Sequence, residues 1–327
     1  MKILYAIQGT GNGHVSRARE IIPHLKKQGE LDLLVSGSQA DVGLDEEVKY
    51  RLVGAGFVFG RNGGIDFGET WKRLDFSRFW SDVKRLPVQD YDLVINDFEP
   101  VCAWSCRLKA VHSVGLSHQS AFKSKLTPQL GGFRWGRAIM NCYAPTSSFR
   151  AFHFCRYDDF IHTPVIRSEV RKLKPEDWGY YTVYLPAYSD EFILGMLTRF
   201  SKIRWQVFSK HSSQAYEREN VEVFPIENQR FVRSLAYCSG VLTGGGFEGP
   251  SEALFLGKKL LVVPMKNQYE QQCNALALEA MGVPVIWSED EFEPKLSRWI
   301  GQEERVEVDY PDETEWIVEN IVRFLRS

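Results

Sequence analysis

Two glycine-rich turns hold most of the residues that could do chemistry in this chain. The first runs Gly9-Thr-Gly-Asn-Gly-His14, so Gly9, Gly11, Asn12 and Gly13 lead into His14, between an apolar run at Ile3–Ile7 and a helical pattern at Ala18, Ile21, Ile22 and Leu25. Glycines let the backbone approach a ligand closely, and free amides at a helix start favour a phosphate or carboxylate. His14 ends the turn, where a neutral imidazole can take a proton from a hydroxyl. The plainer alternatives are a turn that binds nothing and a histidine that only caps the helix. A dinucleotide would require an acidic residue near the end of the second strand. The stretch Val35-Ser-Gly-Ser-Gln39 has none, and Asp32 falls too early.

Asp97 and Glu99 follow an apolar run, at the kind of strand end where open α/β sheets place ligand groups. Either carboxylate could orient His14 or accept a proton itself; either could equally cap the next helix. The second turn is Thr243-Gly-Gly-Gly-Phe-Glu-Gly249, so Thr243, Gly244, Gly245, Gly246, Phe247, Glu248 and Gly249 lead from one apolar run into the next helical pattern. A diphosphate suits such a strand–turn–helix junction. One turn on, Glu252 offers a carboxylate to a ribose diol. Within the polar run Asn267–Asn274, Gln271 and Gln272 present paired donors and acceptors for sugar hydroxyls.

A parallel α/β framework has to position these groups. Apolar runs at Ile3–Ile7, Leu31–Val35, Tyr91–Ile95 and Ser113–Leu116 alternate with helical segments in the first half. Tyr181–Leu185, Ile203–Phe208, Val221–Phe224, Gly240–Thr243, Lys259–Val263 and Val283–Trp287 do so in the second. The 327 residues exceed the usual single-domain size, which predicts two units, 1–163 and 164–311. Asp312–Leu325 reads as an amphipathic last helix, with Trp316, Ile317, Ile321, Phe324 and Leu325 on one face.

Hydrophobic residues at 44% and charged residues at 25% are ordinary globular values, and no apolar run approaches membrane-spanning length. The six cysteines are scattered without CxxC spacing, consistent with reduced thiols in the cytoplasm. Net charge is −2, yet no acid falls between Glu99 and Asp158, where eight Lys and Arg are interleaved with aromatics. That stretch, Arg107–Arg156, together with Trp71-Lys-Arg73 and Phe79-Trp80, predicts an anionic partner or a peripheral contact with an anionic membrane surface. A solvated basic face is the alternative.

On these turns, and on the stretch from Phe224 to Ala275, the chain resembles GT-B glycosyltransferases of the family 28 type. That family includes the peptidoglycan lipid-linked N-acetylglucosaminyltransferase. The resemblance implies two Rossmann-like domains facing a cleft, 1–163 binding the acceptor and 164–311 the nucleotide-sugar donor, with the last helix crossing back to the first domain. It further implies that backbone at Phe224 and Ile226 holds a base, Gly244, Gly245 and Gly246 the phosphates, Glu252 the ribose, and Gln271 and Gln272 the transferred sugar.

The resulting expectation is inverting, metal-independent transfer from a UDP-sugar to a hydroxyl acceptor, a glycan or a lipid-linked one. The UDP-sugar serves as co-substrate, with no cofactor and no nucleic-acid partner. A UDP-sugar 2-epimerase of the same fold and a non-catalytic nucleotide-sugar-binding protein are the alternatives.

Overall fold

A computed structural model describes residues 1–37, 44, 46–54, 75–131, 136 and 140–326. Ser38 and Gln39, the Trp71–Arg73 triplet, and Phe133, Arg134, Trp135 and Arg137 of the basic stretch lie outside the described residues.

The first half contains β1 (Lys2–Gln8), α1 (Asn12–Lys26), β2 (Glu30–Ser36), β3 (Tyr50–Leu52), α2 (Phe76–Arg85), β4 (Leu93–Asp97), α3 (Pro100–Leu108), β5 (Ser113–Ser117), β6 (Ser148–Phe152) and β7 (Ile161–His162). Its strands are all parallel, in the order β3-β2-β1-β4-β5-β6-β7. Residues alternate across the sheet, as a two-residue period requires. Ile3, Tyr5 and Ile7 pack with Ala18, Ile21, Ile22 and Leu25 of α1, while Leu4 and Ala6 pack with Cys102 and Cys106 of α3. Burial of each such aliphatic side chain contributes roughly 1.5–3 kcal/mol.

The second half contains α4 (Ser168–Arg171), β8 (Tyr180–Tyr184), α5 (Asp190–Leu197), β9 (Arg204–Ser209), β10 (Tyr216–Arg218), β11 (Val221–Pro225), α6 (Asn228–Tyr237), β12 (Gly240–Gly244), α7 (Glu248–Phe255), β13 (Lys259–Val263), α8 (Tyr269–Ala280), α9 (Phe292–Gly301) and α10 (Thr314–Arg326). Its sheet order is β10-β11-β9-β8-β12-β13, with only β10 antiparallel. The expected strand at Val283–Trp287 is reduced to a single bridge, Val262 with Val285.

The last helix, α10, packs on α1 of the first half, and Lys27 Nζ donates to Glu315 at 2.7 Å. Its buried stripe is Ile317, Val318, Ile321 and Val322. Trp316 and Phe324, expected on that stripe, are 57% and 62% exposed: Trp316 falls on the opposite side of the helical repeat, and Phe324 lies at the edge of the stripe in the last turn. The chain therefore passes between the halves twice. The two passages touch: Arg171 Nη1 donates to the Tyr310 carbonyl at 2.9 Å, and Thr163 Oγ1 to Glu313 at 3.3 Å. The Tyr310 hydroxyl donates to the Phe154 carbonyl at 3.1 Å. All six cysteines are free, and no helix among the described residues is long and apolar enough to cross a membrane.

Candidate functional site

Strand register brings the first set of groups together. Ile7 of β1 pairs with Asp97 of β4, so Asp97 and the Gly9–Gly13 turn leave the sheet at one level. The strand order reverses between these strands, and ligands of open α/β sheets bind at such switch points. The turn lies tight on its neighbour: Gly9 N–H donates to the Ser36 carbonyl at 2.6 Å, and a Cβ on Gly9 would meet that oxygen at 2.9 Å. Gly11 has φ of 104°, and α1 starts at Asn12 without a side-chain cap from the residue before it.

Asp97 is fully buried and binds two groups of α1. Its Oδ1 lies 2.8 Å from His14 Nδ1, and Arg17 reaches both oxygens, Nη2 to Oδ1 at 2.7 Å and Nε to Oδ2 at 3.1 Å. Burial opposes a charge here, but Arg17 and His14 outweigh it and hold the Asp97 carboxyl below the usual range. With Nδ1–H bonded to Asp97, the lone pair of His14 lies on Nε2. That atom faces the Gln119 side-chain amide at 3.4 Å.

Glu99 does not join this group. Phe98, between the two carboxylates, has φ of 57°, a left-handed turn that costs a non-glycine residue about 1–2 kcal/mol. Beyond it Glu99 is the N-cap of α3, accepting from the amides of Val101 at 2.9 Å and Cys102 at 2.6 Å. Desolvation pushes its carboxyl up to about 7. Of the two strand-end acids, one aligns the imidazole and the other caps a helix, which corrects the expectation that either could serve His14.

The second glycine turn faces the first. Thr243 Oγ1 donates to the Tyr184 carbonyl at 3.1 Å, fixing the end of β12. Asn274 Nδ2 donates to the Gly245 carbonyl at 3.1 Å, and a Cβ on Gly245 would meet the Gln271 carbonyl at 2.6 Å, so α8 lies directly on the turn. Gly244 is less confined, Gly246 borders open space, and Gly249 follows in the first turn of α7. Phe247 is buried, and its ring stacks on His118 of the first half at 3.9 Å. It thus joins the two halves, a contact that sequence spacing does not reveal. Glu248 opens α7 and reaches across: Arg17 Nη1 donates to its Oε1, and its carboxylate lies against Gly13.

The residues expected at the nucleoside and sugar are placed less simply. Glu252 is buried and gripped by Arg167, Nε to Oε1 at 2.6 Å and Nη2 to Oε2 at 2.7 Å, so a ribose would meet an ion pair rather than a free carboxylate. Gln271 folds back on the loop after β13, accepting from Met265 N at 3.1 Å. Gln272 Oε1 is buried without a partner among the described residues. Phe224 carries the Arg230 guanidinium over its ring at 4.4 Å, and Ile226 just beyond it is 37% exposed.

Instead, Glu270 looks across at the first half: Gln119 Nε2 donates to its Oε1 at 3.1 Å. Burial raises the Glu270 carboxyl, against the lowering pull of His14. Arg17, Gln119, His118 and Glu270 were not picked out from the sequence. Arg17 lies at i+3 from His14, on the same helix face, and Glu270 lies inside the polar run Asn267–Asn274; both signals were present.

Two parallel α/β domains with glycine turns facing each other, tied by a last helix that returns to the first domain, define a GT-B glycosyltransferase. The chain belongs to glycosyl transferase family 1, whose sequence model matches residues 1–299. Solved structures with this fold include MurG of Acinetobacter baumannii, 12% identical, with a TM-score of 0.56 over 98% of this chain and 99% of that one. They also include a UDP-glucosyltransferase from Polygonum tinctorium capable of glucosylating indoxyl, 13% identical, with a TM-score of 0.59 over 99% of this chain and 94% of that one. The glycotransferase of kitacinnamycin is 15% identical, with a TM-score of 0.57 over 99% of this chain and 94% of that one. At these identities the likeness concerns the fold. No curated protein matches the chain.

Proposed function

We propose that the protein transfers a sugar from a UDP-sugar to a hydroxyl acceptor with inversion, and that the donor diphosphate lies between the starts of α1 and α7. The observation that carries this reading is the Asp97–His14 pair at 2.8 Å, with His14 Nε2 turned toward the cleft that the second glycine turn faces. His14 takes the acceptor proton, and Asp97 stabilises the imidazolium that forms. Helix amides and Arg17 supply the positive charge for the leaving diphosphate, so the reaction needs no metal or cofactor. The acceptor is lipid-linked or a glycan in this reading, as the sequence resemblance to the family 28 type implies.

A surface feature supports that acceptor and a peripheral position at the cytoplasmic face of a membrane. Phe76, Trp80 and Leu108 are 42%, 40% and 55% exposed on α2 and α3, and Trp104 lies beside them under Arg107. Aromatic and cationic side chains mixed in this way suit an anionic lipid interface. The test is incubation with a panel of UDP-sugars and lipid-linked or soluble acceptors, following UDP release, with sedimentation on anionic and neutral liposomes at low salt. No UDP release from any donor with wild-type protein, or equal release by the His14→Asn variant, overturns the mechanism.

A second reading, epimerisation of a UDP-sugar at C2, gains from the position of Glu270. Such chemistry needs carboxylates and a histidine around the sugar, and Glu270, Glu248 and His14 all approach the same cleft. An epimerised nucleotide sugar formed without acceptor would establish this reading instead.

A further inference from the structure

The start of α7 carries an unusual residue for an anion site. Its first residue is Glu248, whose carboxylate occupies the space that a Cβ on Gly13, in the first turn of α1, would enter. Neither helix has a side-chain cap at its start, since Gly11 and Phe247 precede them without one. The starts of two helices and the Arg17 guanidinium thus lie around a single carboxylate. Arg17 is 2% exposed, and its Nε and Nη2 are committed to Asp97 within its own domain. Only Nη1 reaches the other domain, and its partner there is Glu248. Glu248 is 27% exposed, so its side chain has a route to solvent, whereas Arg17 has none.

We infer that Glu248 is a placeholder for the donor diphosphate, and that Arg17 Nη1 passes from Glu248 to the diphosphate when the donor binds, making Arg17 a catalytic residue of the transfer. This rests on the donor reading above. The diphosphate brings more negative charge than one carboxylate to the same two helix ends and the same guanidinium, and Glu248 then turns outward. In the transfer, the bond from sugar C1 to the diphosphate oxygen breaks and its electron pair leaves with that oxygen. The acceptor oxygen bonds to C1 and gives its proton to His14. Arg17 meets the charge that grows on the leaving oxygen, while its other nitrogens hold the carboxylate that aligns the base. One guanidinium thereby sets the distance between base and leaving group. Glu248 also gives Nη1, the guanidinium nitrogen not bonded to Asp97, a partner across the domains in the empty enzyme.

The experiment is calorimetric titration of UDP and of inorganic pyrophosphate into the full chain and two variants that remove the placeholder by different routes. E248Q neutralises it. Gly13→Ala keeps Glu248 but puts a methyl group where its carboxylate lies, and the flexible end of that side chain can move away. Both variants are expected to bind UDP and pyrophosphate about tenfold more tightly than wild type, by removal of a competing anion. Arg17→Lys in the E248Q background is expected to lose that gain and to lower kcat, with thermal melts showing that it remains folded.

UDP binding that is unchanged or weaker in E248Q and Gly13→Ala overturns the placeholder and leaves the donor reading standing. Tighter pyrophosphate binding with no UDP binding in any form upholds the hand-over and rejects the nucleotide. No binding of either ligand to any form overturns both.

Discussion

Replacing Asp97 by asparagine removes one charge from the centre of the base assembly and keeps its shape. In the transfer step His14 becomes an imidazolium beside Asp97, with its Nδ1 at 2.8 Å from Oδ1. Unit charges ~4 Å apart at an effective dielectric of about 20 interact by about 4 kcal/mol. The variant loses this while keeping Arg17, whose Nη2 lies 3.1 Å from His14 Nδ1, as a cation that opposes the imidazolium. A loss of about 4 kcal/mol corresponds to about a thousandfold in kcat.

The same substitution leaves Arg17 buried with only Glu248 beside it, which should lower stability by about 3–5 kcal/mol. His14→Asn separates the two effects. It removes the base but leaves the Asp97–Arg17 pair, so it should show a similar rate loss with nearly full stability. The assay is UDP release in the presence of acceptor, alongside urea unfolding of each variant. Folded Asp97→Asn protein with kcat within about threefold of wild type would refute the reasoning, since no charged partner for His14 would then be needed.

Three further outcomes are expected. Burial holds His118 down to about 3, so it supports stability above pH 6.5 and withdraws it as pH falls from 6.5 toward 3; urea titrations should show about 3 kcal/mol lost through it by pH 4.5, and less loss in His118→Gln. Gly245→Ala sets a Cβ 2.6 Å from the Gln271 carbonyl and must push α8 off the turn, so UDP titration should show at least a tenfold weaker complex and melting a cost of about 1–3 kcal/mol. Glu252→Ala leaves Arg167, only 15% exposed, with Glu169 and Asn228 on Nη1 but without its two bonds from Nε and Nη2, and should destabilise by about 1.5–3 kcal/mol in urea, with much of that recovered by adding Arg167→Met.

Much of this was legible because the relevant physics is local. The glycines of both turns, the alternation of strand and helix, and the position of Asp97 at a strand end follow from spacing within about ten residues. What was not legible depends on contacts between distant segments. Nothing near Glu99 distinguishes it from Asp97 except the left-handed turn at Phe98, which a phenylalanine does not announce. Glu252 stands where the sequence resemblance placed a ribose ligand, but its partner, Arg167, is 85 residues away. Phe247 reads as part of a phosphate turn and is instead the plate on which His118 stacks. The short strands β6 and β7, the last two on one side of the sheet, carry Arg150 and His162, so their sequence lacks the apolar run that marked the inner strands. Glu270, which α8 turns toward Gln119, stands next to Gln271 and Gln272 but was not singled out, because its partner is 151 residues away in sequence.

The two passages of chain between the domains, bonded to each other at Arg171–Tyr310 and Thr163–Glu313, limit how the cleft can open. A single strap would let the donor half swivel in any direction. Two straps side by side act as the two pins of a door and leave one axis of easy rotation, roughly along the line joining them. The path between open and shut is therefore nearly a single coordinate. In the proposed transfer, a donor on the second domain would meet His14 from the same direction at every closure.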